Sequence, residues 1–195
     1  MNLKNLEKYL ESFGKYVIKQ SRTNLSKGKK NVTKDLYNSL EFRVVKDAGG
    51  IWGLEFLMLD YGEYIDKGVS GNKKKRTYKD FTGKEVPSPY EYTNKQPPAG
   101  ILAKWISKRG IKGRSIDYEY TDKKTGKRIL RKGTGRFITN LSLAFAYAKK
   151  IKRDGIKGIS FFQRPIELGW KRFGEGVLDS ITKDIIDEIP DEINN

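Results

Sequence analysis

The chain opens with apolar residues at the spacing of an amphipathic helix. They follow one another in steps of three and four, with lysine and glutamate between them: Leu3, Leu6, Leu10, Phe13 and Val17. Such a stripe covers one face of a helix and is buried against the rest of a domain. We expect this helix to run from about residue 3 to the mid-20s. It should end near Gly28, where glycine can adopt the left-handed cap conformation.

The next segment changes to the alternation of a β-hairpin. Residues 41–45 alternate and include β-branched side chains, residues 47–50 have turn composition, and residues 51–60 return as a longer strand. Residues 61–68 are aromatic and punctuated by glycine, and they lead into a long loop, 69–96, without helical periodicity. A loop of this length inside a compact domain is usually functional or disordered.

Helical spacing returns in the second half of the chain. A helix is predicted from residue 97, with proline in its first turn, to Gly110, and a second over residues 137–153. Residues 114–132, between them, indicate a hairpin that is polar on both sides and projects from the body. A last helical region has its apolar positions on one face: Val177, Leu178, Ile181, Ile185 and Ile186.

Together these elements predict an α+β fold in one domain, residues 1–195. We expect a small antiparallel β-sheet packed against the long N-terminal helix and further helices, with residues 69–135 as an extended loop and hairpin insertion. Residues 175–195 are expected to form an acidic C-terminal helix or tail. The longest uncharged stretch, 137–148, has 12 residues and is too short to cross a bilayer. We therefore expect a soluble protein without membrane contact.

The composition removes several classes of chemistry. The 195 residues include no Cys and no His, which excludes disulfides, thiolate nucleophiles, imidazole ligands and serine–histidine catalysis. Residues 133–135 lack the spacing of either glycine-rich nucleotide fingerprint. We expect no enzyme activity, no cofactor and no metal. One enzymatic alternative is a carboxylate-based nuclease that uses Asp60 or Asp122. Another is acid–base catalysis by two nearby acids, as in glycosidases, with Asp60 and Glu63 or Asp117 and Glu119 as the pairs.

Charge is unevenly distributed along the chain. Lys and Arg number 40 against 24 Asp and Glu, a net charge of +16, but residues 175–195 carry −6, so residues 1–174 carry +22. Such a balance is typical either of a solvated surface with a helix whose acids face water, or of a basic surface that faces nucleic acid or an acidic protein partner.

Basic residues cluster at 27–30, 73–76 and 123–132, each in a predicted loop or hairpin. Lys and Arg in such places neutralise phosphates without reading base sequence. The residues expected to face DNA or a protein partner are Lys73, Lys74, Lys75, Arg76, Lys123, Lys124, Lys127 and Arg128. A non-sequence-specific nucleic-acid-binding module that acts through basic loops is therefore one interpretation of the chain.

Three short motifs follow the long Lys-rich helix in a fixed order. They are TKDLYNS at 33–39, YGEYIDKG at 61–68 and FFQRPI at 161–166, and a helix and turn at 144–158 precede the third. In this order they resemble the tail-completion or neck (head–tail connector) protein family of tailed bacteriophages. Lys34 stands where that family usually has glycine, and the region 69–135 is longer than the family leads one to expect.

The resemblance implies the fold given above and a structural role without enzyme activity. It implies a homo-oligomeric ring at the head–tail junction of a virion assembled in the host cytoplasm. The ring would join portal- or adaptor-side proteins to tail-side proteins around the DNA exit channel and make non-specific contact with packaged DNA. In such a ring a basic body and an acidic end can meet through complementary charge, and the candidate subunit-interface acids are Asp184, Asp187 and Glu188.

Overall fold

The computed structural model describes residues 3–30, 33–111, 113, 117–131 and 138–188. These residues divide into two compact units. Unit 1 takes its described residues from 1–70, 76–90 and 156–195, and unit 2 takes them from 71–75 and 91–155. The predicted insertion, 69–135, overlaps unit 2, but unit 2 continues beyond residue 135. One domain over residues 1–195 stays a prediction.

Unit 1 begins with the predicted N-terminal helix. This helix, α1 (Lys4–Lys27), confirms the prediction from the apolar stripe. Gly28 follows it with a φ of −72°, so glycine does not take the expected left-handed conformation. Lys29 takes it instead, with a φ of 53°, and its N–H bonds to the carbonyl of Ser26. Glycine is favoured at position 28 for a steric reason instead, because a Cβ there would lie 2.9 Å from the Ile159 side chain.

A short helix and the predicted hairpin come next. Helix α2 (Asp35–Ser39) precedes strands β1 (Glu41–Lys46) and β2 (Trp52–Leu57), which pair antiparallel. Gly50 turns between the strands with a φ of 82°. β2 ends earlier than predicted because the chain soon forms a helix that the sequence did not predict, α3 (Tyr61–Lys67). Seven residues are too few to show a helical period.

The predicted long loop contains a small hairpin. Strands β3 (Thr77–Lys79) and β4 (Glu85–Pro87) pair antiparallel within it, in unit 1. The turn between them is held by Asp80, whose Oδ1 accepts hydrogen bonds from the N–H groups of Thr82 and Lys84 at 2.9 and 3.0 Å. The prediction of a long connection without helix is therefore correct, but it missed this local pairing.

Unit 2 contains the two helices and the hairpin that the sequence predicts for this part of the chain. Its elements are, in order, helix α4 (Ala99–Lys108), strands β5 (Tyr118–Thr121) and β6 (Arg128–Arg131), and helix α5 (Asn140–Asp154). Thr139 caps α5 by accepting a hydrogen bond from the Ser142 N–H at 3.2 Å. Ile106, Ala144 and Ala148 are fully buried, so α4 and α5 form the core of this unit.

The last helix belongs to unit 1 and completes it. Helix α6 (Gln163–Glu188) lies antiparallel to α1, with the C-terminal part of each near the N-terminal part of the other. Phe173 of α6 contacts the rings of Tyr9, Phe13 and Tyr16, with centroids 5.5–5.8 Å apart. Gly169 permits this approach because a Cβ there would lie 2.8 Å from the Phe13 ring.

The core of unit 1 joins α1 and α2 to the segment that precedes α6. Its buried residues are Ile18, Leu25, Leu36, Leu40 and Phe161. The described residues therefore combine helices with three separate two-stranded antiparallel sheets, of which β1–β2 packs on α1. The predicted α+β class is confirmed. Within the described ranges, no helix is both long enough and apolar enough to cross a membrane.

Candidate interaction surfaces

A groove of about 820 Å³ lies between the second half of α1 and the start of β1 in unit 1. Its apolar lining consists of buried or half-buried side chains, and its rim carries lysines and an arginine. The apolar residues are Ile18, Tyr37, Leu40 and Phe42, and the cations are Lys15, Lys19, Arg22 and Lys27. Among the described lining residues Glu41 is the one acid. The groove therefore combines an apolar floor with a basic rim.

Arg22 is the fixed cation of this groove. Its guanidinium donates hydrogen bonds to the carbonyls of Tyr37, at 3.1 Å, and Leu40, at 3.0 Å, and it lies over the Tyr37 ring. Lys15 is exposed and pairs with Glu11 one turn earlier, at 2.7 Å, which is a weak interaction in water. Lys19 is also exposed. The rim thus has one anchored cation and neighbouring lysines that can reorient toward an acidic partner.

Of the groove cations, only Lys27 was singled out from the sequence, as part of the basic cluster 27–30. Lys15, Lys19 and Arg22 are spaced by four and three residues, which puts them on one face of a helix. That spacing is readable from the sequence. The apolar floor beneath them is not, because it requires β1 to pack beside α1.

The three sequence motifs meet in space within unit 1. Asp66, from the second motif, accepts a hydrogen bond from the Phe162 N–H of the third motif at 2.7 Å. Leu36, from the first motif, shares the core with Phe161 of the third. Gly62 of the second motif lies so close to the first that a Cβ would come within 2.9 Å of Leu36. Segments separated by more than a hundred residues thus form one structural cluster.

Two glycines permit the closest backbone approach in this cluster. Gly68, the last residue of the second motif, has a φ of 75°, and a Cβ there would lie 2.5 Å from the Gly158 nitrogen. A Cβ on Gly158 would in turn lie 2.6 Å from the Asp66 carbonyl oxygen. Both positions therefore require glycine, for a conformational reason at Gly68 and for a steric reason at each.

Asp66 is buried at the start of α6, and burial raises the pKa of its carboxyl, opposed by the hydrogen bond from the Phe162 N–H. Its other oxygen, Oδ2, has no hydrogen-bond partner among the described residues. The side chain acts as a cap for the beginning of α6 from a distant part of the chain. Its role is structural, because it faces the core rather than a cleft.

A smaller cleft of about 390 Å³ includes the acids Asp60 and Glu63, beside Tyr64 and Tyr90. Glu63 accepts hydrogen bonds from the Tyr90 hydroxyl and from Lys67, the latter at 3.1 Å. The bond to Glu63 raises the pKa of Tyr90 to about 12, and the Tyr90 hydroxyl followed by Lys67 lowers the pKa of Glu63. The Glu63 carboxylate is thus held by its neighbours.

The predicted cluster of residues 73–76 is divided between the units. Lys73, Lys74 and Lys75 belong to unit 2, whereas Arg76 belongs to unit 1. Lys75 pairs with Glu91 at 2.6 Å, and Lys73 and Lys74 are exposed. Arg76 is half-buried. These residues therefore do not form one basic patch within a single unit.

The predicted basic hairpin brings its cations to one end of β5–β6. Lys123, Lys124, Lys127 and Arg128 are all exposed around its turn. Asp122 shapes the turn by accepting the Lys124 N–H at 2.8 Å, and this hydrogen bond contributes most to lowering the pKa of Asp122. The carboxylate considered for a nuclease is thus engaged in the turn. Residue 132 of this cluster and residues 133–135 lie outside the described residues.

The three candidate interface acids have different environments. Asp184 is buried, and its two oxygens accept the backbone N–H groups of Asn5 and Leu6 at 2.8 and 3.0 Å. It caps α1 within its own chain and is not available to a neighbouring subunit, contrary to the expectation. Asp187 is exposed and accepts a hydrogen bond from the Asn5 side chain at 3.0 Å, and Glu188 is exposed. Residues 189–195 of the acidic tail lie outside the described residues.

Desolvation alone would raise the pKa of Asp184, but the N–H groups of Asn5 and Leu6 outweigh it and hold the pKa below the usual value. A charged carboxylate at a helix N-terminus interacts favourably with the unpaired N–H groups there. The N-cap position, Leu3, makes no side-chain cap bond. Asp184 therefore supplies from α6 the cap that the beginning of α1 lacks.

Within the parts of the chain that the structure describes, no three acidic side chains come together as a potential metal site. No protein-family model, curated protein or solved structure matches this chain.

Proposed function

We propose that this protein is a structural subunit of a bacteriophage head–tail junction, a neck or tail-completion ring subunit. The observation that carries the proposal is the meeting of the three motifs around Asp66 and Phe162 in one cluster. Packing of the three motifs on one another is what a shared structural framework would require. Their contacts therefore support the resemblance as a shared structural framework.

The conformation of Lys34 adds to this support. Lys34 has a φ of 62°, in the left-handed region, at the position where the family usually has glycine. Glycine is the residue that adopts this region without cost. The departure from the family motif thus preserves the backbone conformation that the motif residue favours.

In the proposed role the subunit forms a homo-oligomeric ring in the virion. The ring contacts portal- or adaptor-side proteins on one side and tail-side proteins on the other, and DNA passes through its centre. The exposed cations of the β5–β6 turn suit non-specific contact with that DNA.

Electron microscopy of the protein mixed with its neighbouring gene products tests the proposal. We expect ring-shaped density at the vertex where the portal protein meets the tail. A monomeric basic protein of similar size serves as the control for adhesion by charge alone. Failure of the protein to join any ring or particle, under conditions where the portal and tail proteins assemble, contradicts the proposal.

The second candidate is a non-sequence-specific nucleic-acid-binding module, favoured by the four exposed cations of the hairpin turn. Its affinity for duplex DNA should fall steeply with salt, because each neutralised phosphate releases a counterion. Replacing Lys123, Lys124, Lys127 and Arg128 by alanine should reduce the salt slope by about 4 if all four contact phosphates. A matched variant, with Lys73, Lys74, Lys75 and Arg76 replaced by alanine, removes the same number of positive charges. Weak binding that is insensitive to salt contradicts this candidate.

The absence of enzyme activity also stays a prediction of the proposal. Incubation with DNA and a divalent metal should give no cleavage. Metal-dependent cleavage that is abolished by Asp60→Asn or Asp122→Asn would instead establish a carboxylate-based nuclease.

A further inference from the structure

The second half of α6 presents apolar side chains that nothing in unit 1 covers. Leu178, Ile185 and Ile186 are exposed to 70%, 45% and 60%. The opposite face of the same helix packs on α1 through Phe173 and Asp184. An exposed cluster of large aliphatic side chains on a helix is typical of a docking surface. Together with the half-buried Ile181, we call Leu178, Ile185 and Ile186 the α6 stripe.

Acids border this stripe. Glu175 and Asp179 are exposed and lie one turn apart beside Leu178 and Ile186, and Glu188 is exposed at the end of the helix. Lys183 is the one cation among the described residues from 175 onward. The α6 stripe is therefore an apolar surface with an acidic border.

The groove on α1 has the complementary character. Its floor is apolar and its rim carries Lys15, Lys19, Arg22 and Lys27. Its volume, about 820 Å³, is in the range of sites that enclose several apolar groups. An apolar helix face with acids at its edge would place its aliphatic side chains on the floor and its carboxylates against the rim. Such complementarity sets the orientation of a contact as well as its strength.

The two surfaces cannot meet within one copy of unit 1. The α6 stripe lies at the end of the α1–α6 pair where Asp184 contacts Asn5. The groove begins at Lys15 and is centred near Lys19, about 20 Å further along α1 at 1.5 Å per residue. The groove also lies on α1, whereas the stripe lies on the face of α6 that points away from α1. Contact between them therefore requires two copies.

We infer that the α6 stripe of one copy docks into the α1 groove of the next copy. The contact joins two different surfaces and is therefore heterologous, so each added copy presents a new groove or stripe. Depending on the rotation between copies, repetition closes a ring or extends a filament. This inference deepens the proposed function, because it assigns the surfaces through which neighbouring subunits of the ring would meet. Closure into a ring rests on the proposed function.

Paired variants test the contact by mass photometry and sedimentation over a concentration series. The groove variant carries Lys15→Glu and Lys19→Glu, and the stripe variant carries Leu178→Lys and Ile185→Lys. All four side chains are exposed, so circular dichroism should show an unchanged fold. Each variant should weaken self-association about tenfold or more. The control, Lys123→Glu with Lys124→Glu, changes the charge as much as the groove variant but should associate as the wild type does.

Mixing the variants gives the decisive result. The groove variant retains its stripe and the stripe variant retains its groove, so the mixture should form a 1:1 dimer that grows no further. If the stripe variant melts early, Asp179→Lys alone replaces it, because Asp179 is exposed and lies at the border.

Three outcomes overturn the inference: a wild-type protein that stays monomeric throughout, self-association unaffected by both variants, or a groove variant that loses DNA binding but not self-association. The last would assign the groove to nucleic acid. None of these outcomes decides the proposed function, which depends on incorporation into the head–tail junction. A ring there with these variants incorporated normally would leave that function standing and remove only this interface.

Discussion

Single side chains connect parts of unit 1 that are far apart in sequence. Asp184 caps the beginning of α1 from near the end of α6, and Asp66 caps the beginning of α6 from α3. In both cases a carboxylate satisfies backbone N–H groups that a helix cannot satisfy itself. Acidic residues that resemble surface charges in the sequence are thus structural in the fold.

The lowered pKa of Asp184 predicts an acid-dependent contribution to stability. Because its folded pKa lies below the ordinary value of 3.8, the stabilisation is fully present above that pH and is lost as the pH falls through the folded pKa. Asp184→Asn should therefore lower the melting temperature by a few degrees at neutral pH, and by progressively less in acid. Thermal melts followed by circular dichroism across this range measure it.

The control for this substitution is Asp187→Asn. Asp187 accepts a single hydrogen bond, from the Asn5 side chain at the protein surface. This control should change the melting temperature less at every pH. A loss from Asp184→Asn that stays constant into strong acid would contradict the proposed charged cap.

Lys34 predicts a stabilising substitution. A non-glycine residue in the left-handed region costs about 1–2 kcal/mol, whereas glycine costs roughly 0.5–1 kcal/mol in chain entropy. Lys34→Gly should therefore raise the free energy of unfolding by up to about 1 kcal/mol. Lys34→Ala, which keeps the Cβ, should lie within about 0.5 kcal/mol of the wild type. Urea denaturation of both variants checks the difference, and equal effects would show that backbone strain is not the cause.

At the scale of elements, the contact between α1 and α6 depends on where small residues lie along α6. Gly169 and Gly176 face α1, because a Cβ at either position would meet a ring of that helix. Gly174 faces away from α1, and a Cβ there would have only atoms of Trp170 nearby, at 3.8 Å or more. Glycine in α6 thus permits close approach to α1 at positions 169 and 176 but not at position 174.

Alanine at these glycines should have opposite effects on stability. Gly176→Ala would bring a Cβ against the Tyr9 hydroxyl, which donates to the Phe173 carbonyl, and within 2.5 Å of the ring atom Cζ. Such overpacking costs about 1–3 kcal/mol. Gly174→Ala should instead stabilise by roughly 0.5–1 kcal/mol, because alanine favours the helix. The two free energies of unfolding, compared by denaturant titration, should differ in sign. Equal signs would mean that α1 and α6 do not approach as described.

At the scale of the whole molecule, the two units have separate cores. Leu25 is fully buried in unit 1, and Ile106 is fully buried in unit 2. Groups of residues that pack mainly among themselves open as cooperative units.

Hydrogen exchange should report this division. Ile106→Ala should cost about 2–5 kcal/mol and accelerate exchange in α4 and α5, while α1 and α6 keep more of their protection. Leu25→Ala should have the reverse pattern. Mass-spectrometric exchange on both variants measures it, and a uniform acceleration throughout the chain would show a single cooperative unit.

The sequence alone determined the elements whose signal is local. The period of the apolar stripe predicted α1, and alternation and turn composition predicted the β1–β2 and β5–β6 hairpins. Proline and glycine bounded α4, and helical spacing of apolar residues predicted α5. The distribution of charge is likewise a property of the sequence. These features depend on neighbours a few residues apart, which is why they could be predicted.

Only the tertiary structure decided the features that join distant segments. Residues 61–67 form the helix α3, and Asp184 is buried against the beginning of α1. Asp66 lies beside Phe162, and apolar side chains form the floor of the groove near Lys19. A short helix is stabilised by the residues that it packs against. A carboxylate caps a helix only where the fold brings the first N–H groups of that helix within hydrogen-bond distance. Those approaches arise from long-range packing, which no local pattern encodes.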